Sequence, residues 1–286
     1  MILYSLKVGG IMKHKSRKPQ KNNKAQSGQA HLKDAQEVMK YLKSDVSIIP
    51  YETTDSTNTQ AKLYCGQFKD SGITSPVLFT ANHQNGGKGR LGRSFYSPAD
   101  TGLYMSLLIK ADEIENDIIC VTTATAVCVA DAIKKLCNIT VRIKWVNDIY
   151  IDNKKVCGIL CEAVTNPDTM KIEYIIIGIG VNVSTDFFPK EIKDIATSLP
   201  KNTNKNKLCA YITDNIIEEL SHISDRTFIE KYKELSLVLG KEITYTEMDE
   251  TKVATAIDID NNGGLVIENE HGIKTLSTGE ITVRLR

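Results

Sequence analysis

Apolar positions recur along this chain with two different spacings, and each spacing predicts a different kind of element. Helical spacing predicts helices over residues 31–43, 118–136, 208–223 and 228–237, and a shorter helix over 58–63 after a cap at Asp55 or Ser56. Apolar runs bounded by turn residues predict strands over 46–54, 76–84, 102–109, 139–146, 149–151, 156–163 and 174–183. A meandering sheet accompanied by helices indicates an α+β fold.

The pattern changes after Gly240, where the predicted strands become short and strictly alternating. Turns at 262–264 and 271–272 separate several of them, which is typical of a small β-barrel. We therefore expect three segments: a basic N-terminal extension over 1–45, a larger domain over 46–239 and a barrel over 240–286. Residues 1–30 contain no Asp or Glu, and their composition favours a disordered tail.

Overall composition narrows the classes of function. A formal net charge of +1 argues against a surface that coats nucleic acid, so any anion site must be local. Seven cysteines without a CxxC pair suit reduced thiols, and the five scattered histidines form no metal-binding motif, so we expect no protein metal site. The longest apolar run, 172–183, has about half the length that a membrane span requires.

One stretch between two predicted strands, QNGGKGRLGRSF at 84–95, carries candidate chemistry. Its glycines let backbone N–H groups approach an anion, and Lys88, Arg90 and Arg93 supply three positive charges. The spacing at 87–92 satisfies GxGxxG, but a dinucleotide site needs a helix directly after the loop, and Pro98 and a strand follow instead. A kinase loop is also set aside because no HRD or DFG segment follows. The loop predicts a site for phosphate or carboxylate.

Three further segments are weaker signals when each is taken alone. DSTN at 55–58 could simply cap a helix, and Lys144 in RIKWVND could lie on the solvated face of a strand. In GIGVN at 178–182 the glycines permit close approach to a strand end, and Asn182 offers both a donor and an acceptor. Their order along the chain makes them informative together.

The four segments, with KKVCGILCEA at 154–163 between the second and the fourth, resemble the biotin protein ligase family over roughly residues 48–286. The family signatures GRGRxGRxW, KWPND, KxxGILxE and GIGxN correspond to 87–95, 144–148, 155–162 and 178–182. Lys88 stands where the family has arginine, which keeps the charge but loses the bidentate fork. Phe95 and Val146 replace tryptophan and proline.

The resemblance implies a catalytic domain like that of class II synthetases, followed by an SH3-like barrel. It also implies two half-reactions, in which biotin and MgATP give biotinyl-5′-AMP and pyrophosphate, and a lysine of a biotin carboxyl carrier domain then takes the biotin. The implied catalytic residues are Lys144, Arg90 and Lys88. The implied biotin-binding residues are Ser56, Thr57, Asn58, Gln84, Gly87, Lys88, Arg90, Lys144 and Gly158, and the implied ATP- or adenylate-binding residues are Gly89, Arg93, Asn147, Asn182 and Arg284.

Two other functions remain open from the sequence. A lipoate ligase or octanoyltransferase resembles this fold and also modifies a carrier lysine, whereas a non-catalytic regulator would bind biotinyl-AMP without transferring it. Repressor members of the family carry an N-terminal helix-turn-helix, for which the segment before residue 45 is too short, so DNA binding is not expected. We expect a cytoplasmic protein, although the basic start is compatible with organellar targeting, and a sheet edge could pair two copies into a homodimer.

Overall fold

In the computed structural model of this chain, the described residues are 34–68, 73, 76–111, 118–247, 250–277 and the backbone of 282–285. Most of the basic extension predicted over 1–45 therefore lies outside the described residues. Residues 34–39 form helix α1, which ends four residues before the predicted end at residue 43; positions 31–33 of that prediction lie outside the described residues. No helix within the described residues is long and apolar enough to cross a bilayer.

Seven strands form one mixed sheet. They are β1 (Ser47–Thr54), β2 (Val77–Gln84), β3 (Gly102–Lys110), β4 (Arg142–Lys144), β5 (Asp148–Ile151), β6 (Lys154–Thr165) and β7 (Ile172–Asn182). Their order in space is β1-β2-β3-β7-β6-β5-β4, with β1 and β2 parallel and every other pair antiparallel. The predicted α+β class is confirmed, but β3 pairs with β7, so the sheet is not a simple meander.

Four further helices pack around this sheet. They are α2 (Thr57–Gln67), α3 (Ile118–Cys137), α4 (Lys205–Ser221) and α5 (Phe228–Leu235). Helix α3 is buried along almost its whole length and contacts α4, α5 and β6, so it forms the centre of the main core. Helix α2 contacts β2, β3 and β7 and belongs to a second, smaller apolar cluster.

The register of the sheet aligns small residues on neighbouring strands. Gly158 of β6 lies opposite Asp148 of β5 on one side and Gly180 of β7 on the other. Gly178 of β7 lies between Leu160 of β6 and Ser106 of β3. Three glycines without side chains therefore open a trough on one face of the sheet, and the cleft described below lies there.

The C-terminal part forms a five-stranded antiparallel sheet of the SH3-like type. Its strands are β8 (Glu242–Glu247), β9 (Glu250–Ile259), β10 (Leu265–Asn269), β11 (Gly272–Leu276) and β12 (Thr282–Leu285), in the spatial order β11-β10-β9-β8-β12. The turn between β9 and β10 contacts the first part of the chain, since the Trp145 indole N–H donates to the Gly263 carbonyl at 2.9 Å. An ion pair of 2.9 Å joins Lys233 of α5 to Asp258 of β9.

Two local predictions differ from the structure. Strand β4 covers only Arg142–Lys144, because 145–147 form a turn in which the Trp145 side chain reaches the barrel. Helix α2 runs to Gln67, beyond the predicted end at residue 63. Ser56 is its N-cap residue as predicted, but the Ser56 side chain makes no cap hydrogen bond. Gln84 of β2 supplies that contact instead, since Gln84 Oε1 accepts from the Thr57 N–H at 2.8 Å.

Candidate active site

The trough on the sheet is one wall of a cleft that the glycine loop, residues 84–95, covers from the other side. The space within it is about 970 Å³, and because part of this space is open solvent, the site is an open cleft and not an enclosed cavity. Its lining includes eleven of the residues that the sequence singles out: Ser56, Thr57, Asn58, Gln84, Lys88, Gly89, Arg90, Arg93, Lys144, Asn147 and Gly158.

Four uncharged polar residues, Ser56, Thr57, Asn58 and Gln84, form what we call the neutral cluster. Its first three members begin helix α2 and are almost fully buried, with 3%, 3% and 4% of their surface exposed. Gln84 is fixed from both ends of its amide, because Oε1 accepts from Thr57 and Nε2 donates to Ser97 Oγ at 3.0 Å. These side chains are therefore held in place before any ligand arrives.

Ser106 anchors the neutral cluster from beneath. It is fully buried in β3, and its hydroxyl oxygen lies 2.7 Å from Thr57 Oγ1 and 2.6 Å from Asn58 Oδ1. Asn58 also lies directly against β7, where a Cβ added to Gly178 would come within 2.1 Å of Asn58 Oδ1. Glycine at this strand position is therefore required for Asn58 to reach its place.

The glycine loop folds back on itself as a tight hairpin. The Phe95 N–H donates to the Gly87 carbonyl at 2.8 Å, and the Gly89 N–H donates to the Arg93 carbonyl at 2.7 Å. A Cβ on Gly87 would lie 2.5 Å from the Phe95 carbonyl oxygen, so the hairpin closes only with glycine there. The Phe95 ring rests on β7, where a Cβ on Gly180 would be 2.6 Å from it.

Four cationic residues, Lys88, Arg90, Arg93 and Lys144, form what we call the cationic cluster. Lys88 and Arg93 are exposed on the loop, whereas Arg90 and Lys144 are half-buried. Arg90 reaches the sheet, since its Nη1 donates to Asn147 Oδ1 at 3.2 Å. Burial lowers the pKa of the Arg90 guanidinium, an effect that the nearby Asp148 carboxylate opposes. An arginine remains protonated at neutral pH, so this charge is present in the cleft.

Lys144 ends strand β4 beside an aromatic ring. Its Nζ lies 6.0 Å from the centroid of the Tyr150 ring. Burial, together with the Asp148 charge, raises the pKa of the Tyr150 hydroxyl to about 12, so Tyr150 stays neutral and offers its ring face to the ammonium. Asp148 itself is paired with Lys155 at 2.6 Å. Its negative charge is therefore largely compensated within the cleft.

The turn after Lys144 is held from three directions. The Tyr232 hydroxyl of α5 donates to the Val146 carbonyl at 3.1 Å, and Trp145 is bound to the barrel as described above. Asn147 Nδ2 donates to the Ile159 carbonyl at 2.6 Å, and the Ile159 N–H returns a bond to the Asn147 carbonyl at 3.0 Å. These hydrogen bonds fix the backbone next to Lys144, whereas Lys88 and Arg93 lie on the exposed part of the loop.

Comparison with known proteins agrees with this geometry. The sequence model of the biotin/lipoate A/B protein ligase family matches residues 51–182, and that of the biotin protein ligase C-terminal domain matches residues 238–284. The chain belongs to the biotin protein ligase family. The first match contains the glycine loop and the strands β2 to β7, and the second contains most of the C-terminal five-stranded sheet.

Individual relatives extend the match over most of the chain. The bifunctional ligase/repressor BirA of Bacillus spizizenii is 32% identical over 215 residues, which are 72% of this chain and 65% of that protein. BirA of Bacillus subtilis is 29% identical over 253 residues, 84% of this chain and 76% of that protein. The structure of biotin protein ligase from Aquifex aeolicus in complex with biotin and ATP superimposes with a TM-score of 0.70 at 29% identity, covering 84% of this chain and 99% of that one.

Of the other three predicted site residues, two do not line the cleft and one has no described side chain. Gly87 shapes the hairpin from within. Asn182 is buried at the end of β7, where its Nδ2 donates to the Thr197 carbonyl at 3.0 Å. Arg284 lies in β12 opposite Thr244 of β8, and its side chain is outside the described residues. In the described part of the chain, no three His, Cys, Asp or Glu side chains lie close enough together to hold a metal ion.

Ser106 is the residue of the site that the sequence reasoning missed. The sequence does mark this position, because the apolar run GLYMSLLI contains only two polar side chains, Tyr104 and Ser106. A polar side chain fully buried in a central strand needs a hydrogen-bond partner, which would have directed attention to this position.

Proposed function

We propose that this protein activates biotin with ATP to form biotinyl-5′-AMP and then transfers biotin to a lysine of a biotin carboxyl carrier domain. The observation that carries the proposal is the meeting of the neutral cluster and the cationic cluster in one cleft. The uncharged ureido ring of biotin needs the neutral cluster, and the reaction of the biotin carboxylate with ATP needs the cationic cluster. The Aquifex relative, whose structure holds biotin and ATP, supports the assignment.

The neutral cluster would hold the ureido ring. That ring offers two N–H donors and one carbonyl acceptor, so it suits the hydroxyls and amides of Ser56, Thr57, Asn58 and Gln84 better than it suits charges. Because Thr57, Asn58 and Gln84 are already fixed by hydrogen bonds, these side chains would lose little conformational entropy on binding. Gly158 would leave room for the chain of the ligand along the trough.

The cationic cluster would overcome the repulsion between the two substrates. A carboxylate about 4 Å from a phosphate charge is repelled by about 4 kcal/mol at an effective dielectric constant near 20. Lys144 would lie between the biotin carboxylate and the α-phosphate, while Lys88 and Arg90 would line the bound adenylate. Arg93, on the exposed part of the loop, would face the leaving phosphates. The carboxylate oxygen then attacks the α-phosphorus and pyrophosphate leaves.

Other residues would complete the nucleotide side. The Gly89 N–H is used within the hairpin, so its role is to let the loop approach the phosphates closely. Asn147 would orient Arg90, Asn182 would face the adenine, and Arg284 would assist from the barrel. Mg²⁺ would enter as MgATP, held by the phosphate oxygens with few ligands from the protein. Pairing of two copies through a sheet edge stays a prediction.

The second half-reaction would use the same cleft. The uncharged amine of the carrier lysine attacks the acyl carbon of biotinyl-5′-AMP, the amide bond forms, and AMP leaves with the electrons of the broken C–O bond while the amine loses a proton. Closure of the glycine loop would exclude water, which otherwise hydrolyses the mixed anhydride. The carrier domain is the partner that the family implies.

A direct test is incubation with labelled biotin, ATP and a carrier domain, with and without its target lysine. We expect label on the intact carrier alone and no transfer when ATP is omitted. Excess lipoate should leave the labelling unchanged, because its dithiolane ring has no N–H or carbonyl to meet the neutral cluster. Bound biotinyl-AMP without transfer would identify a regulator instead, and competition by lipoate would point to a lipoate ligase.

A further inference from the structure

A carboxylate outside the cleft is hydrogen-bonded to one of the residues that line it. Glu162 of β6 does not line the cleft, yet its Oε2 accepts a hydrogen bond of 2.8 Å from Asn58 Nδ2. Its other oxygen, Oε1, forms an ion pair of 2.7 Å with Lys62 on helix α2. Glu162 is therefore held between a buried amide and a half-exposed ammonium, one turn of helix apart.

From this geometry we infer that Glu162 is a positioning residue that makes Asn58 an obligate hydrogen-bond acceptor towards the ligand. The inference rests on the proposed function, because it assigns Asn58 to a ureido N–H of biotin. It adds a specificity rule for that contact, since the ligand must present a donor where Asn58 faces the cleft.

The rule follows from counting the hydrogen bonds of the Asn58 amide. Its Nδ2 has two hydrogens, and both are used, one on Glu162 and one on the Leu160 carbonyl at 3.2 Å. Its Oδ1 lies 2.6 Å from the Ser106 hydroxyl and keeps one lone pair. The cleft therefore meets an oxygen acceptor from Asn58 and no N–H donor.

The carboxylate also prevents the amide from turning over. An ionised carboxylate only accepts hydrogen bonds, so a reversed Asn58 would place Oδ1 against an acceptor and leave both oxygens without a proton. A neutral amide at 162 could donate as well as accept, which would leave only the Leu160 carbonyl, at 3.2 Å, to hold the amide in this orientation. Lys62 keeps Glu162 in place and compensates its charge, so that no uncompensated negative charge lies beneath the ligand.

The first test is Glu162→Gln, measured by calorimetric titration with biotin and, separately, with ATP. We expect biotin to bind about tenfold more weakly, while the affinity for ATP changes less than about twofold, the size of change typical when one polar contact is misdirected. The matched control is Glu173→Gln, since Glu173 of β7 accepts a bond of 2.6 Å from Asn166, which lies in the turn between β6 and β7 and outside the cleft. That variant should bind biotin normally.

A double variant separates positioning from a general loss of packing. Asn58→Asp places two carboxylates together, so we expect weak biotin binding that improves as the pH falls and one of them gains a proton. Combining Asn58→Asp with Glu162→Gln restores a hydrogen bond between the two side chains with its direction reversed, although the Leu160 carbonyl still lacks its donor. Position 58 again offers only acceptors to the cleft, so biotin should bind at least about threefold more tightly than it binds to Asn58→Asp at neutral pH, with a weaker pH dependence.

Several outcomes would overturn the inference. Unchanged biotin affinity in Glu162→Gln, or no recovery in the double variant when its thermal unfolding matches the wild type, would remove Glu162 from this role. Equal weakening in Glu173→Gln would show a general effect on the sheet. Failure of the wild-type protein to bind biotin at all would instead refute the proposed function, which keeps the two claims distinguishable.

Discussion

The neutral and cationic clusters line the same cleft but are built in opposite ways. Ser56, Thr57 and Asn58 are buried, and Thr57 and Asn58 are also hydrogen-bonded to neighbouring strands, so the fold fixes their orientations. Lys88 and Arg93 are exposed on a hairpin whose tip includes Leu91, 50% exposed and with a φ of 56°. One cluster is preorganised, and the other can move.

The difference follows from the cost of burial for each kind of group. A buried hydroxyl or amide must be hydrogen-bonded, and once it is bonded it also recognises its ligand at low entropic cost. A buried cation without a partner is far more expensive, which agrees with the exposure of Lys88 and Arg93 on the loop. Arg90 and Lys144 are half-buried instead, and both depend on the turn at 145–147: Arg90 donates to Asn147, and Lys144 precedes that rigid turn.

The largest effect is expected for Lys144→Ala, which removes the rigidly held charge of the cationic cluster. We expect biotin-dependent ATP–pyrophosphate exchange to fall by at least about a hundredfold, since a preorganised charge at the reacting centre is removed. Biotin binding alone should weaken far less, because the neutral cluster is untouched. Lys135→Ala is the matched control, as Lys135 also lies over a tyrosine ring, that of Tyr211 at 4.4 Å, but outside the cleft. Wild-type exchange in Lys144→Ala would refute its role.

A second variant, Gly178→Ala, changes the neutral cluster and leaves the cationic cluster unaltered. The new Cβ would meet Asn58 Oδ1 at 2.1 Å, so Asn58 must leave its position. We expect the biotin dissociation constant in calorimetry to rise by about tenfold or more, as for a lost buried hydrogen-bond network.

The control for this second variant lies in the same helix as Asn58. A Cβ on Gly66 meets nothing within 4 Å, so Gly66→Ala should keep biotin affinity and raise the free energy of unfolding by about 0.5–1 kcal/mol. If Gly178→Ala bound biotin normally, the neutral cluster would not be the rigid recognition surface described above.

The same contrast explains which parts of the site could be predicted from the sequence. The glycine loop and Lys144 could be found because their chemistry lies in consecutive residues, where glycines and cations stand together. The strand-loop-strand context that rejected a dinucleotide site is also local, and the structure confirms it between β2 and β3. The resemblance to a known family then supplied the roles.

The support beneath those residues could not be predicted in the same way. Ser106 reaches Asn58 only because β3 pairs with β7 in a register that places Ser106 opposite Gly178. That pairing joins strands that lie far apart in the sequence, and hydrophobic periodicity carries no information about partner or register. For the same reason, the sequence identified Asp55 or Ser56 as the N-cap residue of helix α2 but gave no sign that Gln84, on another strand, accepts from the Thr57 N–H.

The mildest test varies salt rather than sequence. Exposed charges are screened over about 10 Å at 0.1 M ionic strength, and over about 3 Å at 1 M. Raising the salt concentration should therefore weaken ATP binding several-fold, because the proposed site brings the ATP phosphates to Lys88 and Arg93, which are exposed on the loop. Biotin binding should change by less than about twofold. In the proposed site it depends on the buried neutral cluster and on a single charged group of the ligand, the biotin carboxylate, and short buried hydrogen bonds are not screened. Calorimetric titrations of each ligand across the salt series measure both slopes. Equal slopes for the two ligands would mean that the clusters differ in charge but not in their exposure to solvent, and the distinction between a fixed and a movable half of the site would be lost.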